Sequence, residues 1–189
     1  MAPAYNERKQ FALPDYKVLK TDENNKAVLH QGKLFIKNKL QTQFLKPNLP
    51  DRPYSPNADI TISESPRDKK DRGSVFRGYC SPVHNMNDVV DINQHLICEK
   101  PCVASATHVI YAYRIEQRGK IIENFESDRD WGTGYELLKA MKKDDIINTV
   151  FIATRQCNPG FAHLGKKRFS HIIDACMQAY DIQKQNKDQ

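Results

Sequence analysis

The chain has 189 residues, enough for one domain with a flanking segment or at most two small domains. Its hydrophobic content of 39% and its mean hydropathy of -0.70 are too low for a compact domain that fills the whole length. The sequence shows no apolar run of about 18 residues and no basic-then-apolar leader, so it predicts neither a membrane protein nor a secreted one.

The formal net charge of +6 is unevenly distributed along the chain. Residues 1–73 hold 14 Lys and Arg against 9 Asp and Glu, a net +5, whereas residues 74–189 hold 15 against 14, a net +1. A nucleic-acid-binding domain normally concentrates its cations on the folded face that contacts phosphate. The distribution therefore weakens the case for nucleic-acid binding by the C-terminal part.

The five cysteines are odd in number and scattered, which predicts free thiols in a reducing compartment and a cytoplasmic location: Cys80, Cys98, Cys102, Cys157 and Cys176. The spacing of Cys98 and Cys102, with His95 and His108, allows a zinc site, but no Cys-x-x-Cys pair is present. We therefore predict no metal and no cofactor. Cys157 with His163 is a second alternative, as a thiol nucleophile and its base, without an identifiable orienting group.

Residues 1–73 contain seven of the ten prolines, and we predict a largely disordered, basic segment there. Its apolar side chains Phe35, Phe44 and Leu45 are candidates for a docking stub.

From Ser74 the pattern changes to that of a folded domain. It predicts, in chain order, a strand over 75–83, a helix capped by Asn87, a strand over 107–117, a three-residue turn at 118–120, a strand over 121–125, a short helix after Gly132-Thr133-Gly134, a strand over 149–154 and a helix from about Lys166. This β-α-β-β-α-β-α order predicts a two-layer α+β domain over 74–182, with a frayed tail over 183–189.

The strand over 107–117 carries polar side chains on a two-residue period. Val109, Tyr111 and Tyr113 share one face, while His108 and Arg114 lie at opposite ends of the other. The strand can therefore line a polar site, or be a half-buried strand with polar ends.

Four motifs in this order resemble those of the IMPACT family, whose bacterial members are the YigZ proteins. They are Ala106-Thr107-His108 with Tyr111-Ala112-Tyr113-Arg114, Asp128 to Gly134 before Leu137-Leu138, Thr154-Arg155, and Leu164-Gly165 with Arg168-Phe169. The resemblance implies a ribosomal-protein-like β-α-β fold and no catalytic activity. It implies regulation by protein contacts: eukaryotic members restrain the kinase that phosphorylates a translation initiation factor during amino-acid starvation, by competing for its ribosome-associated activator. Some members bind monomeric actin.

The chain departs from the family pattern in three places. Residues 1–73 are too short and too proline-rich for the RWD domain of full-length eukaryotic members. The family's acidic motif, Asp-Asp-Gly-Glu, aligns with Ser127-Asp128-Arg129-Asp130, in which Arg129 replaces the glycine. The loop over 156–163 is about two residues longer than the family's. The resemblance therefore implies an altered site.

Five residues are candidates for one polar rim at strand ends: His108, Arg114, Asp128, Asp130 and Arg155. Such a set can bind a phosphate or a protein partner, or carry out acid–base chemistry. The alternative is a buried ion-pair network that fixes loop positions, which we favour.

Three cations, Lys166, Lys167 and Arg168, open the last helix, where they oppose the helix dipole. They are candidates for binding an anionic partner, either RNA phosphate or an acidic protein face, against the alternative of a solvated charge run. An RNA- or ribosome-associated protein is accordingly our second functional prediction.

Overall fold

The structure is a computed structural model that describes residues 60–158 and 164–187, together with three strands nearer the N-terminus. These strands are β1 (Leu29–His30), β2 (Lys33–Ile36) and β3 (Lys39–Phe44), and they form an antiparallel sheet in that order. Of the residues predicted as a docking stub, Phe35 belongs to β2 and Phe44 to β3, and Leu45 lies outside the described residues.

A larger antiparallel sheet forms the centre of the domain. Its strands are β4 (Ser63–Glu64), β5 (Lys69–Asp71), β6 (Ser74–Pro82), β7 (His108–Gln117), β8 (Lys120–Glu126) and β9 (Thr149–Cys157). The order is β4-β6-β9-β7-β8, and β5 also pairs with β6. The helices are α1 (Met86–Glu99), α2 (Pro101–Ala104), α3 (Thr133–Lys143) and α4 (Lys167–Lys187).

Helices cover both faces of this sheet. On one face α1 and α2 pack on side chains such as Tyr79, Tyr111 and Ile152. On the other face α3 and α4 pack on side chains such as Ile110 and Phe151. The predicted mixture of helices and sheet is confirmed, but the prediction of two layers is wrong. Because β6, β7 and β9 carry apolar residues on both faces, each face needs its own helical layer.

The helix α4 lies against β6 with almost no space between the backbones. A Cβ atom added to Gly78 would stand 2.5 Å from the Cys176 backbone nitrogen and would overlap the carbonyl of Ala175. A glycine is therefore required at this position of β6 for α4 to close the core.

Local signals account for two of the element boundaries. Asn85, not the predicted Asn87, caps α1: its side chain accepts from the Asp88 backbone N–H, and the Asp88 carboxylate accepts from the Asn85 N–H. The turn between β7 and β8 has two residues rather than three, because Arg118 and Gly119 both take positive φ (52° and 72°), the geometry that suits a tight hairpin.

The predicted boundaries of the folded domain are too narrow. Residues 60–73, predicted as disordered, include β4 and β5, which pair with β6 and so complete its outer edge. Residues 183–187, predicted as frayed, continue α4, and Gln183 is buried where the Cys80 thiol donates to its side-chain oxygen. The rest of the predicted disordered segment includes β1, β2 and β3, and its residues 1–28, 31–32, 37–38 and 45–59 lie outside the described residues.

Within the part of the chain that the structure describes, no helix combines the length and the apolar character needed to cross a bilayer.

Candidate functional site

Asp130 lies between two arginines at one end of the large sheet. Its Oδ2 atom accepts a hydrogen bond from Arg155 Nη1 at 2.9 Å, and its Oδ1 atom accepts one from Arg168 Nε at 2.7 Å. Asp130 and Arg155 are both buried, at 6% and 9% exposure. One carboxylate neutralises two guanidinium groups only in part, so this cluster carries a net charge of +1.

Three different elements bring these side chains together. Asp130 stands in the turn before α3, where its backbone carbonyl accepts from the Thr133 hydroxyl at 2.5 Å. Arg155 comes from β9 and Arg168 from the first turn of α4. Each guanidinium also lies on an aromatic ring, Arg155 at 5.7 Å from the Phe76 centroid and Arg168 at 4.4 Å from that of Phe169. Cation–π contacts of this kind fix the two arginines in place.

His108 and Asp128 lie at the same end of the sheet. His108 is paired directly with Arg155 in the ladder between β7 and β9, and its Nδ1 atom is 2.7 Å from the Asp128 carbonyl oxygen. The Asp128 carboxylate accepts from the Val109 backbone N–H at 2.8 Å. Burial raises the pKa of Asp128 above its ordinary value, against the opposing effect of the Val109 hydrogen bond.

Arg129, which aligns with the glycine of the family pattern, has a left-handed backbone conformation. Asp128 and Arg129 have φ values of 41° and 64°, both left-handed. Aspartate tolerates this region, whereas an arginine there is strained by its Cβ atom. The turn therefore holds an arginine in a backbone conformation that favours glycine.

Arg114 does not belong to this rim, so its inclusion in the predicted site is wrong. It stands six residues further along β7, about 20 Å away at the rise of a strand. There it donates to the carbonyl oxygens of Met141 (3.3 Å) and Ile146 (3.1 Å), at the C-terminal end of α3, and pairs with Glu123. Its side chain closes the end of a helix, where unpaired carbonyl groups favour a cation.

Two of the three cations predicted to bind an anion have internal carboxylate partners. Arg168 pairs with Asp130, and Lys167 Nζ lies 2.9 Å from Asp71 Oδ2. Lys166 is exposed. The partners offset the unfavourable position of these cations at the start of α4, so the sequence pattern has an explanation without an external anion.

Asp71 and His171 form a second polar cluster that the sequence analysis missed. His171 Nε2 is 2.8 Å from Asp71 Oδ2, and this bond, followed by the contact with Lys167, lowers the pKa of Asp71 to about 2. The two residues are 100 positions apart. No local pattern joins them, because only the pairing of β5 with β6 places Asp71 beside α4.

The structure does not bring the residues of the zinc alternative together, and it describes only Cys157 of the thiol alternative. Cys102 accepts a hydrogen bond from Arg77 Nη1 at 2.8 Å beside an open depression of about 370 Å³, while His108 contacts the Asp128 carbonyl. Among the described residues no three His, Cys, Asp or Glu side chains form a metal-binding group. His163, the proposed base for Cys157, lies outside the described residues.

The geometry of the rim is that of an interlocked ion-pair network. Both oxygens of Asp130 are taken by arginines, and one nitrogen of His108 is held by a backbone carbonyl. A general base needs a lone pair directed at a substrate proton, and these oxygens are directed at guanidinium groups instead. The network thus fixes three elements at one end of the sheet: the turn before α3, the end of β9 and the start of α4.

Each of the four motifs contributes a residue to this end of the sheet: His108, Asp130, Arg155 and Arg168. Residues 72–180 match the Impact N-terminal domain, which covers more than half of the chain. The chain belongs to the Impact N-terminal domain family. The match spans all four motifs and overlaps the predicted domain of residues 74–182.

Several curated proteins are similar to this member of the Impact N-terminal domain family. Protein IMPACT-B of Xenopus tropicalis is 31% identical over 122 residues, 64% of this chain and 38% of the relative. Protein IMPACT of Homo sapiens is 35% identical over 104 residues, 54% of this chain and 32% of the relative. The chain thus matches about a third to two fifths of the length of these relatives.

A solved structure, that of the two-domain translational regulator Yih1, is 23% identical to the chain. The alignment covers 77% of this chain and 54% of the Yih1 chain, with a TM-score of 0.43.

Proposed function

We propose that the chain is a non-enzymatic regulatory protein of translation, which acts by protein contacts in the pathway of the amino-acid-starvation kinase. The observation that carries this proposal is the match of residues 72–180 to the Impact N-terminal domain, together with the four motifs. The partner is then the ribosome-associated activator of that kinase or another ribosome-associated factor, and actin is a second candidate. Such partners place the protein in the cytoplasm.

The rim supports a role in binding rather than in catalysis. Both oxygens of its buried carboxylate, Asp130, form ion pairs with Arg155 and Arg168. A network of this kind stabilises the surface around it, and the loss of one member leaves a buried charge without a partner. We therefore assign Asp128, Asp130, Arg155 and His108 to shaping the partner surface.

RNA binding is less well supported than protein binding. Lys167 and Arg168 are predicted from the sequence as candidates for binding RNA phosphate. Both already have carboxylate partners. A protein that binds nucleic acid neutralises several phosphates with its Lys and Arg side chains. Residues 74–189 carry a net charge of only +1, which is low for this purpose.

The proposal is tested by affinity capture of the tagged full chain from amino-acid-starved and fed cells, with each lysate divided into RNase-treated and untreated halves. The expected result is recovery of starvation-kinase or ribosome-associated proteins that persists after RNase treatment. Recovery that disappears with RNase would replace the proposal by RNA binding. Recovery of no translation or kinase-pathway protein would overturn it.

A further inference from the structure

Two large aromatic side chains stand in solvent at the start of α3. Trp131 is 57% exposed and Tyr135 is 55% exposed, the highest values among the four exposed large apolar side chains of the described residues. Isolated apolar side chains on a surface are ordinary, but two aromatic rings on one turn form a patch. Tryptophan and tyrosine are also the residue types that most often dominate protein interfaces.

The backbone of this turn is held rigidly, so the two rings are presented by a fixed surface. Arg168 Nη2 donates to the Trp131 carbonyl oxygen at 2.7 Å. A Cβ atom on Gly134 would stand 2.6 Å from the Glu126 carbonyl oxygen, which shows how closely α3 approaches β8. Tyr135 packs edge-on against Phe125 at 5.9 Å between centroids. A surface that is ordered before binding loses less entropy on association.

Around the two rings, the cationic side chains are more exposed to solvent than the carboxylates. The carboxylates of Asp128 and Asp130 point inward, with 12% and 6% of their side chains exposed. Arg129 and Lys139 are 63% and 65% exposed, and Arg129 Nε also lies 3.5 Å from Asp128 Oδ1. Glu136, at 32% exposure and 3.7 Å from Lys139, is the acidic group on this side of the turn. The surface around the rings is therefore predominantly positive.

We infer that Trp131 and Tyr135, flanked by Arg129 and Lys139, form a docking surface for an acidic protein segment that carries apolar side chains. The rings supply contact area for the apolar side chains, and the two cations match the acidic groups of the partner. This inference rests on the proposed function, since it names the surface by which the regulatory contact is made. We call these four residues the aromatic turn.

An acidic protein segment fits the aromatic turn better than a nucleic acid does. Stacking of bases on the rings would need neighbouring cations for several phosphates. Arg168 already pairs with Asp130, and Lys167 with Asp71. Two outward cations suffice for a short acidic segment but not for a nucleic-acid backbone.

Site-specific photocrosslinking of the full chain tests the inference. A benzophenone amino acid replaces Tyr135 in one variant and the exposed Asn87, on the opposite face of the sheet, in a control variant. After irradiation in lysate from starved cells, the crosslinked peptides are sequenced by mass spectrometry. The Tyr135 variant is expected to crosslink to peptides rich in Asp and Glu that also contain a large apolar residue.

A second pair of variants tests the role of charge. Neutralisation of the aromatic turn by Arg129→Gly with Lys139→Gln is expected to reduce the crosslinking yield at Tyr135 about tenfold, equivalent to about 1.4 kcal/mol. The matched control, Lys143→Gln on the last turn of the same helix, is expected to leave the yield unchanged. Thermal unfolding of each variant verifies that the fold is retained.

The outcomes separate this inference from the proposed function. Crosslinks to translation proteins from Asn87 but not from Tyr135 would overturn the docking surface and leave the proposed function standing. Acidic peptides from proteins outside translation would support the docking surface and contradict the proposed function. Crosslinks from Tyr135 to RNA, or to peptides without acidic excess, would overturn the inference, and so would an absence of crosslinks.

Discussion

Asp130 and Arg155 form a buried ion pair of 2.9 Å between the turn before α3 and the end of β9. Arg168, from the start of α4, contacts the other oxygen of the same carboxylate. Two residues of the aromatic turn, Arg129 and Trp131, are the chain neighbours of Asp130. The position of this exposed surface therefore depends on a carboxylate that is itself almost inaccessible to solvent.

Removal of the Asp130 carboxylate is expected to be strongly destabilising. In Asp130→Ala, Arg155 remains buried without its partner, which costs about 3 kcal/mol. Urea denaturation of the variant and the native chain measures this difference. The control is Glu136→Gln, which removes a more exposed pair with Lys139 (3.7 Å) and is expected to cost less than about 1 kcal/mol. Equal losses in the two variants would contradict the structural role of the network.

Replacement of Asp128 by asparagine is expected to change how stability depends on pH. The pKa of Asp128 is raised in the folded chain, so the folded state binds the proton more tightly than the unfolded state does, and the carboxyl lowers stability as pH rises through the raised pKa. Asparagine still accepts from the Val109 N–H and tolerates the positive φ of 41°. The advantage of Asp128→Asn should therefore grow as pH rises from about 3 through the raised pKa of Asp128.

Thermal unfolding midpoints of both proteins across this pH range measure the effect. Two curves that run parallel would show that Asp128 does not carry the expected burial penalty. Asp128→Ala is the control, because it loses the acceptor for Val109 and should be less stable than the asparagine variant at every pH.

A glycine at position 129 is expected to stabilise the fold. Arg129 has a φ of 64°, where a side chain costs about 1–2 kcal/mol, and the added backbone freedom of glycine offsets only part of that. We expect Arg129→Gly to gain up to about 1 kcal/mol. Lys139→Gly, within the regular part of α3, should lose about 1 kcal/mol instead. A loss in both variants, measured by urea denaturation, would exclude strain at Arg129.

Truncation is expected to distinguish the observed domain boundary from the predicted one. A chain that starts at Ile60 keeps β4 and β5, whereas one that starts at Ser74 loses both strands and leaves the outer edge of β6 unpaired. The shorter chain also loses Asp71, the partner of Lys167 and His171. Thermal unfolding should show a clearly lower midpoint and more aggregation for the Ser74 chain. Equal midpoints would mean that β4 and β5 add nothing to the fold.

The sequence predicted best those features that repeat along one element. The two-residue period of β7 correctly separated Tyr111 and Tyr113 from Ile110 and Ala112, which the structure places in different cores. Along α4, Ile172, Cys176 and Ala179 follow one another at steps of four and three, and all three are buried.

Features that depend on contacts between distant elements could not be predicted in this way. The short strands β4 and β5 are polar and lie on either side of Pro66, so they show no alternation of their own. Arg114 and Arg155 are the same residue type at strand positions, yet only Arg155 reaches Asp130. That difference is set by the register of β7 and β9, which the sequence pattern does not specify.

The function proposed for this chain is to restrain signalling by the amino-acid-starvation kinase through protein contacts. The most direct measurement adds the purified full chain to a translation-competent lysate starved of amino acids and follows phosphorylation of the kinase's initiation-factor substrate. The account predicts that phosphorylation falls as the chain is added. It also predicts that a variant with both Trp131→Ala and Tyr135→Ala lowers phosphorylation less than the native chain does. Thermal unfolding verifies that this variant is folded. Phosphorylation that stays constant at every concentration of the native chain would contradict the account.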